Sequence, residues 1–293
     1  MHTLYSIMSL RCNVNVLIQK EMYMDAGWKC NKKTEFDEIV ILYDKIRPEY
    51  PEEIFEDIFH YSRFEKSKKA LEIGAGTGKA TSPFLNAGYD VTAVEIGVNM
   101  SEFLSNKFNE YKNFNIITTS FEDVLLEDES YDLIYSATAF HWVDSKIGCP
   151  KAFRLLKSGG TFALFRYTTV PSCGKALYEE IQAVYEKYFI KPYKRPVRKL
   201  FDEYKESSEI KRGFGFEDLK TYGFRDVTTL LYHAYKVFTA QEYIALLDTF
   251  TDHRNLPEVD RAALYTGIEE AIRRNSGQHK VDYVFQLCMG RKL

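Results

Sequence analysis

The sequence predicts an α/β fold, a doubly wound sheet in which parallel strands alternate with helices. Apolar runs of strand length recur from about residue 69 to 168, and most of them are nearly continuous, which is typical of parallel strands that are buried on both faces. Segments with helical periodicity separate these runs. A glycine-rich turn at 74–78 joins the first run to the next segment, as a βα unit requires.

The elements follow in order along the chain. Strands are predicted at 69–74, 90–96, 114–120, 131–138 and 160–168, with helices at 79–87, 98–110 and 145–157 between them. Ser158-Gly159-Gly160 is predicted to end the last of these helices, because glycine favours a helix C-terminus. Two further strands are predicted at 226–238 and 281–291, with helices at 240–250 and 257–275. Right-handed connections then place a ligand crevice at the carboxyl ends of the strands.

The pattern also divides the chain into parts. Residues 1–34 match nothing downstream and are predicted to be a poorly ordered extension, with Met22 and Met24 as alternative starts. Residues 35–293 carry the α/β pattern. Within them, residues 170–222 interrupt the alternation and are predicted to form a helical insertion over the crevice.

Composition excludes several classes of protein. A net charge of −3 and a pI near 6.1 argue against a general binder of nucleic acid or membranes. The five cysteines include no Cys-x-x-Cys pair, and their odd number argues against a disulfide framework, so we expect a cytoplasmic protein. No metal site is predicted, no apolar run approaches the ~18 residues of a membrane span, and a monomer or homodimer is expected.

The glycine-rich turn indicates a ligand. Glycine lacks a Cβ, so Gly74, Gly76 and Gly78 allow a tight turn and a close approach to a bound molecule. Glu95 follows 21 positions after Gly74, at the end of the next strand, where a carboxylate receives the two hydroxyls of a ribose. Lys79 stands where a dinucleotide fingerprint would have its last glycine, which disfavours a dinucleotide.

At this point the motif Glu72-x-Gly74-x-Gly76-x-Gly78 resembles the class I S-adenosylmethionine-dependent methyltransferases. The resemblance implies S-adenosyl-L-methionine as cofactor and S-adenosyl-L-homocysteine as product. It also implies a seven-stranded Rossmann-like sheet of order 3-2-1-4-5-7-6 whose last strand is antiparallel. Residues 35–293 would then be the methyltransferase domain.

Three further motifs narrow the resemblance. The segments 43–51, 136–144 and 156–160 are similar to small-molecule methyltransferases related to trans-aconitate methyltransferase. Many relatives carry an aspartate where Ser120 stands, and that contact with adenine would here fall to Glu122, to the backbone around Phe121, or to neither. The cofactor-binding residues that the resemblance implies are Tyr43, Arg47, Glu72, Gly74, Ala75, Gly76, Gly78, Glu95, Ile96, Ser120, Phe121, Glu122, Ala137 and Trp142.

Several of these residues have two readings. Arg47 either meets a carboxylate of methionine or substrate through its planar fork, or is a surface or ion-paired residue. His141 is either a general base or a hydrogen-bonded wall of the cofactor pocket. Asp144 is predicted to cap the helix that follows it.

The function that we infer is methyl transfer to an oxygen, less favourably a nitrogen, of a small molecule. The basic and aromatic segment 187–199 is either a solvated face or attracts an anionic substrate. The alternatives are an RNA methyltransferase that uses this segment, a module that binds the cofactor without transfer, and a dehydrogenase. The segment contains Lys187, Tyr188, Phe189, Lys191, Tyr193, Lys194, Arg195, Arg198 and Lys199.

Overall fold

The structure is a computed structural model that describes residues 39–63, 68–197, 200–206 and 217–293. The predicted extension 1–34 and the basic residues Arg198 and Lys199 lie outside these ranges. The strands are β1 Lys69–Ile73, β2 Asp90–Glu95, β3 Phe114–Thr118, β4 Tyr131–Ala137, β5 Leu156–Val170, β6 Arg225–Thr239 and β7 Gln278–Arg291.

The seven strands form one sheet in the order β3-β2-β1-β4-β5-β7-β6, which confirms the predicted topology. Strands β1 to β5 pair in parallel, whereas β7 runs antiparallel to both β5 and β6. Strand β4 ends at Ala137, which pairs with Phe165, and β5 continues to Val170. Residues 166–170 therefore extend beyond β4 at the carboxyl edge of the sheet, where the crevice opens.

Helices cover the sheet and build a separate layer beyond it. The boundaries differ from the predicted ones by a few residues at several ends. The α-helices are α1 Val40–Ile46, α2 Glu52–Ser62, α3 Thr81–Asn86, α4 Val98–Lys107, α5 Ser145–Leu155, α6 Lys175–Tyr185, α7 Phe201–Glu206, α8 Ala240–Leu247, α9 Thr251–Arg254 and α10 Glu258–Asn275.

The ends of α5 test two local predictions. The Asp144 side chain accepts a hydrogen bond from the Lys146 backbone N–H at 2.9 Å, which confirms its role as N-cap. The predicted glycine stop is wrong, because α5 ends at Leu155 and β5 begins at once. Gly159 instead has φ +80° within an irregular start of β5, where its N–H donates to the Lys292 carbonyl.

The two faces of the sheet bury separate apolar clusters. One face packs against α2, α3 and α4 through side chains such as Ile58, Phe84 and Leu104, all fully buried. The other face packs against α5 through Ala152 and Leu155. Burial on both faces explains why the parallel strands read as continuous apolar runs.

The insertion after β5 belongs to a third, helical cluster. Helix α6 and the π-helical turn Glu186–Ile190 that continues it pack against α8 and α10. Ile181 and Phe189 contribute from the insertion, and Leu264 and Ile268 contribute from α10. Helix α6 and the turn that continues it are therefore anchored to the segment between β6 and β7, whereas Leu219, near the end of the insertion, packs in the cluster that covers α5.

Candidate active site

The three motif glycines have different surroundings. All three adopt positive φ, at +70°, +56° and +78° for Gly74, Gly76 and Gly78. A Cβ at Gly78 would stand 2.5 Å from a Phe108 ring carbon, and one at Gly74 would stand 2.5 Å from the Ala139 Cβ. A Cβ at Gly76 would meet nothing within 4 Å. Of the three, only Gly76 has open space where a Cβ would stand, so a side chain at this position would compete with a ligand, while the approach of a ligand to the backbone of Gly74 and Gly78 stays a prediction.

Glu95 is bound to this loop. One carboxylate oxygen accepts the Gly76 N–H at 2.8 Å, and the other accepts the Gly97 N–H at 2.9 Å. A carboxylate has about four acceptor sites, so hydroxyl donors can still bind it. A helix dipole contributes little at this loop, since α3 has only six residues and begins at Thr81, beyond the loop.

Glu72 lies beneath the loop and is fully buried, so its side chain does not face the crevice. One carboxyl oxygen accepts hydrogen bonds from the Thr81 hydroxyl at 2.6 Å and the Tyr135 hydroxyl at 3.0 Å. Burial raises the pKa of Glu72 to about 8, although both hydrogen bonds act to lower it. Glu72 therefore supports the loop from below, largely as a neutral acid at pH 7.

Residues 40–51, here called the strap, are fastened to loops that surround the crevice. Lys79 forms an ion pair with Glu49 beside the glycine loop. Lys107 pairs with Asp44 at 3.2 Å and also donates to the Thr77 carbonyl at 2.9 Å. The strap is thus held against the glycine loop by two ion pairs.

The strap also reaches the end of β4. The Tyr50 hydroxyl donates to the Thr138 hydroxyl at 2.7 Å. Thr138 follows β4 directly and has φ +53°, which is rare for a β-branched residue. A strained backbone held by a side-chain contact is a common feature of functional sites.

Arg47 occupies the centre of the strap and is 7% exposed. Its Nη1 donates to the Tyr167 hydroxyl at 3.0 Å and its Nη2 to the Thr249 carbonyl at 2.6 Å. Its guanidinium lies over the rings of Tyr43 and Phe250, at 4.9 and 4.3 Å. The prediction of a surface or ion-paired arginine is wrong within the described chain, because these partners are neutral and the side chain is buried.

His141 stands beyond β4 in a 3₁₀ turn, Phe140–Trp142, with its side chain exposed to the crevice. Its ring centroid is 5.1 Å from that of Trp142, which is half-buried. Crowding by surrounding protein, followed by the positive charges of Arg166 and Arg47, lowers the pKa of His141 from 6.5 to about 3. The lowered pKa leaves His141 neutral at pH 7.

The turn after β3 differs from the predicted arrangement. The Ser120 hydroxyl donates to the Asp123 carboxylate at 2.6 Å. Asp123 was not among the predicted residues, although its position three residues after a serine is typical of a turn. The Phe121 ring is buried beneath Lys151, so only its backbone is available to a ligand, whereas Glu122 is half-buried.

The remaining predicted residues differ in how far they are exposed at the carboxyl edge of the sheet. Ala75 is buried within the loop. Ile96 after β2 and Ala137 at the end of β4 are half-buried at the carboxyl edge. Sequence reasoning missed Arg166, Tyr167 and Tyr283. The period-two pattern of β5, in which Tyr167 shares a face with Phe165, was the available signal for Tyr167.

The basic segment offers no exposed row of rings. Phe189 is 4% exposed and stacks on His253 at 5.2 Å, and the Tyr193 hydroxyl donates to Asp260. Among the described residues, no helix has the length and apolar character needed to cross a bilayer. The same residues contain no cluster of three or more potential metal ligands.

Comparison with known proteins finds similarity to methyltransferases. Residues 71–164 match the model of a methyltransferase domain. An uncharacterised methyltransferase of Schizosaccharomyces pombe is 26% identical over 246 residues, which cover 83% of this chain and 88% of the relative. A probable S-adenosylmethionine-dependent methyltransferase of Saccharomyces cerevisiae is 29% identical over 129 residues, 43% of this chain and 44% of the relative.

A solved structure described as a putative type II methyltransferase from Anaeromyxobacter dehalogenans superimposes on this chain with a TM-score of 0.58. It is 19% identical and covers 84% of this chain and 98% of its own, so the likeness concerns the fold. The strand order, the glycine loop with its carboxylate and these relatives agree. Together they support an S-adenosylmethionine-dependent methyltransferase of class I, which is an enzyme.

Proposed function

We propose that the enzyme transfers the methyl group to an oxygen of a small anionic molecule, with a carboxylate as the preferred nucleophile. The observation that carries this proposal is the charge around His141. The two side-chain charges that act on its ring, Arg166 and Arg47, are both positive. Such a crevice attracts anions and repels protonated amines.

The residues present fit the cofactor. Gly76 leaves open space where a Cβ would stand, and Glu95 lies at the same loop with acceptor capacity for ribose hydroxyls. Ile96, Trp142 and the backbone around Phe121 would line the adenosyl group, and the strap residues Tyr43 and Arg47 would cover it. When bound, S-adenosylmethionine supplies a methyl group on a positively charged sulfur.

The state of His141 favours an acid as the acceptor. A hydroxyl or amine nucleophile needs a base, and a histidine whose pKa is lowered toward 3 removes protons poorly at pH 7. A carboxylate attacks without losing a proton. We therefore assign His141 to the wall of the crevice, where it positions the acceptor while the protein excludes water.

Nucleic acid is a weaker candidate substrate. Stacking on single-stranded RNA needs exposed rings, and the described rings of segment 187–199 pack inward or bind protein groups. The described residue Cys173 is a free thiol, which supports the reducing, cytoplasmic setting that we propose.

The test is a screen of small carboxylic acids, each paired with its neutral amide and with an amine of similar size, in which formation of S-adenosylhomocysteine is measured. We expect turnover with at least one acid and none with its amide. Calorimetry with S-adenosylhomocysteine alone tests the cofactor site separately. Binding of this product without turnover of any acceptor would favour a module that binds but does not transfer. Turnover restricted to amines would overturn the choice of an anionic acceptor.

A further inference from the structure

Arg47 polarises a tyrosine beside the crevice. Its Nη1 donates to the Tyr167 hydroxyl oxygen at 3.0 Å, so the hydrogen of that hydroxyl points elsewhere. Tyr167 lies on β5 past its last pair with β4, and its side chain is half-buried. A hydroxyl that accepts a hydrogen bond from a cation is a stronger donor in its own right.

A second hydroxyl lies next to the first. Strands β5 and β7 place Tyr167 opposite Phe285, which puts Tyr283 on the same face of the sheet. The rings of Tyr167 and Tyr283 are perpendicular, with centroids 5.4 Å apart. Tyr283 is 1% exposed, and its hydroxyl has no hydrogen-bond partner within the described part of the chain.

Within the part of the chain that the structure describes, the same group of residues holds a buried positive charge without a carboxylate partner. The Nε of Arg47 has no hydrogen-bond partner there, and the two Nη atoms donate to neutral oxygens, those of the Tyr167 hydroxyl and the Thr249 carbonyl. A buried cation surrounded by neutral groups is costly unless an anion joins it. The cluster is thus short of acceptors and negative charge.

We propose that Arg47, Tyr167 and Tyr283 form the subsite that binds the carboxylate of the methyl acceptor. Tyr167 and Tyr283 donate their hydroxyl hydrogens to the anion, and Arg47 supplies the charge and orients Tyr167. This assignment rests on the proposed function, since it concerns the acceptor of that reaction. Such a subsite would prefer acids to their neutral amides, because an amide has only one oxygen to accept the two hydroxyl hydrogens and has no negative charge.

The experiment uses the full chain saturated with S-adenosylhomocysteine and titrated calorimetrically with benzoate, butyrate and succinate, and with the corresponding amides. The variants are Tyr167→Phe and Tyr283→Phe. Tyr232→Phe is the matched control, because it removes a hydroxyl from the same face of the sheet that bonds to Asp57 at 2.6 Å. Melting temperatures confirm that each variant folds.

We expect at least one of these acids to bind the wild type, with an affinity about tenfold lower in each test variant, as for loss of a hydrogen bond to a charged group. Affinity for S-adenosylhomocysteine and for the amides should not change, and the control should match the wild type. For an acid that is turned over, KM should rise more than kcat falls.

Three results would overturn the assignment. The first is that no acid binds the wild type. The second is that affinity for S-adenosylhomocysteine falls while that for the acid does not, which would assign these donors to the cofactor. The third is that neither affinity changes, which would mean that the hydroxyls serve only packing or a buried water. If acids are methylated with unchanged KM in both variants, the subsite is wrong and the proposed function stands; if no acid is methylated at all, the proposed function itself fails.

Discussion

The backbone N–H of Gly76 donates to the carboxylate of Glu95 at 2.8 Å, so the acidic residue at the end of β2 fixes the loop that follows β1. The same carboxylate is expected to receive the ribose of the cofactor. Loop conformation and cofactor affinity therefore depend on one side chain. Both are open to measurement by substitution.

Replacement Glu95→Gln should weaken binding of S-adenosylhomocysteine by about tenfold or more, because an amide has one acceptor oxygen for two backbone N–H groups and turns its own N–H₂ toward a donor. Calorimetry gives the affinity. Asp90→Asn, at the exposed start of the same strand, is the control and should bind as the wild type does. Equal affinity in both variants would show that Glu95 does not contact the cofactor.

Replacement Gly76→Ala should abolish most cofactor binding at a small cost in stability. The added Cβ would enter open space, so the free energy of unfolding should fall only by the cost of a positive φ in alanine, about 1 kcal/mol. Gly88→Ala is matched, since Gly88 has φ +84° and equally open surroundings. We expect similar melting temperatures for the two variants and loss of S-adenosylhomocysteine binding in Gly76→Ala alone. Intact binding in that variant would place the ligand elsewhere.

Replacement Glu72→Gln should change how stability depends on pH. Because the folded pKa of about 8 lies above the ordinary 4.5, the folded state holds the proton more tightly, and stability is lost as pH rises through this window. The glutamine side chain does not ionise, so the variant does not lose stability in this way. Between about pH 5 and pH 9, the melting temperature of the variant should gain roughly 10 °C relative to the wild type, equivalent to about 4 kcal/mol.

The exposed residue Glu127 provides the control for this measurement. Glu127→Gln should follow the wild-type curve at every pH. Parallel curves for Glu72→Gln and the wild type would show that Glu72 is ionised in the folded enzyme at neutral pH.

Replacement His141→Ala should leave a flat rate profile between about pH 6 and pH 9 with a carboxylate acceptor, and kcat/KM should fall by less than about tenfold. The reason is that a neutral wall residue takes no proton from an acid that is already ionised. His141→Gln keeps hydrogen-bonding groups and should retain more activity than the alanine variant. A hundredfold loss, together with disappearance of a pKa near 6 to 7, would instead identify His141 as a general base.

Local patterns in the sequence were sufficient for the fold and for the glycine loop. Continuous apolar runs arise from burial on both faces of a parallel sheet, and they located the five parallel strands β1 to β5 to within a few residues. The Ser158-Gly159-Gly160 stop was misplaced because glycine with positive φ serves a turn as well as a helix end. Only the structure shows that α5 ends earlier, at Leu155.

The candidate acceptor subsite could not be found in the same way. Arg47, Tyr167 and Tyr283 are each more than one hundred positions apart in sequence. Tyr167 and Tyr283 meet because β7 pairs with β5, and Arg47 reaches Tyr167 from the strap. Sequence patterns were sufficient to predict the strands and the carboxylate opposite the glycines. The order of the strands followed from the family resemblance. Which glycine borders open space, and whether a buried arginine has a counter-ion, depend on packing between distant segments, so only the tertiary structure decided them.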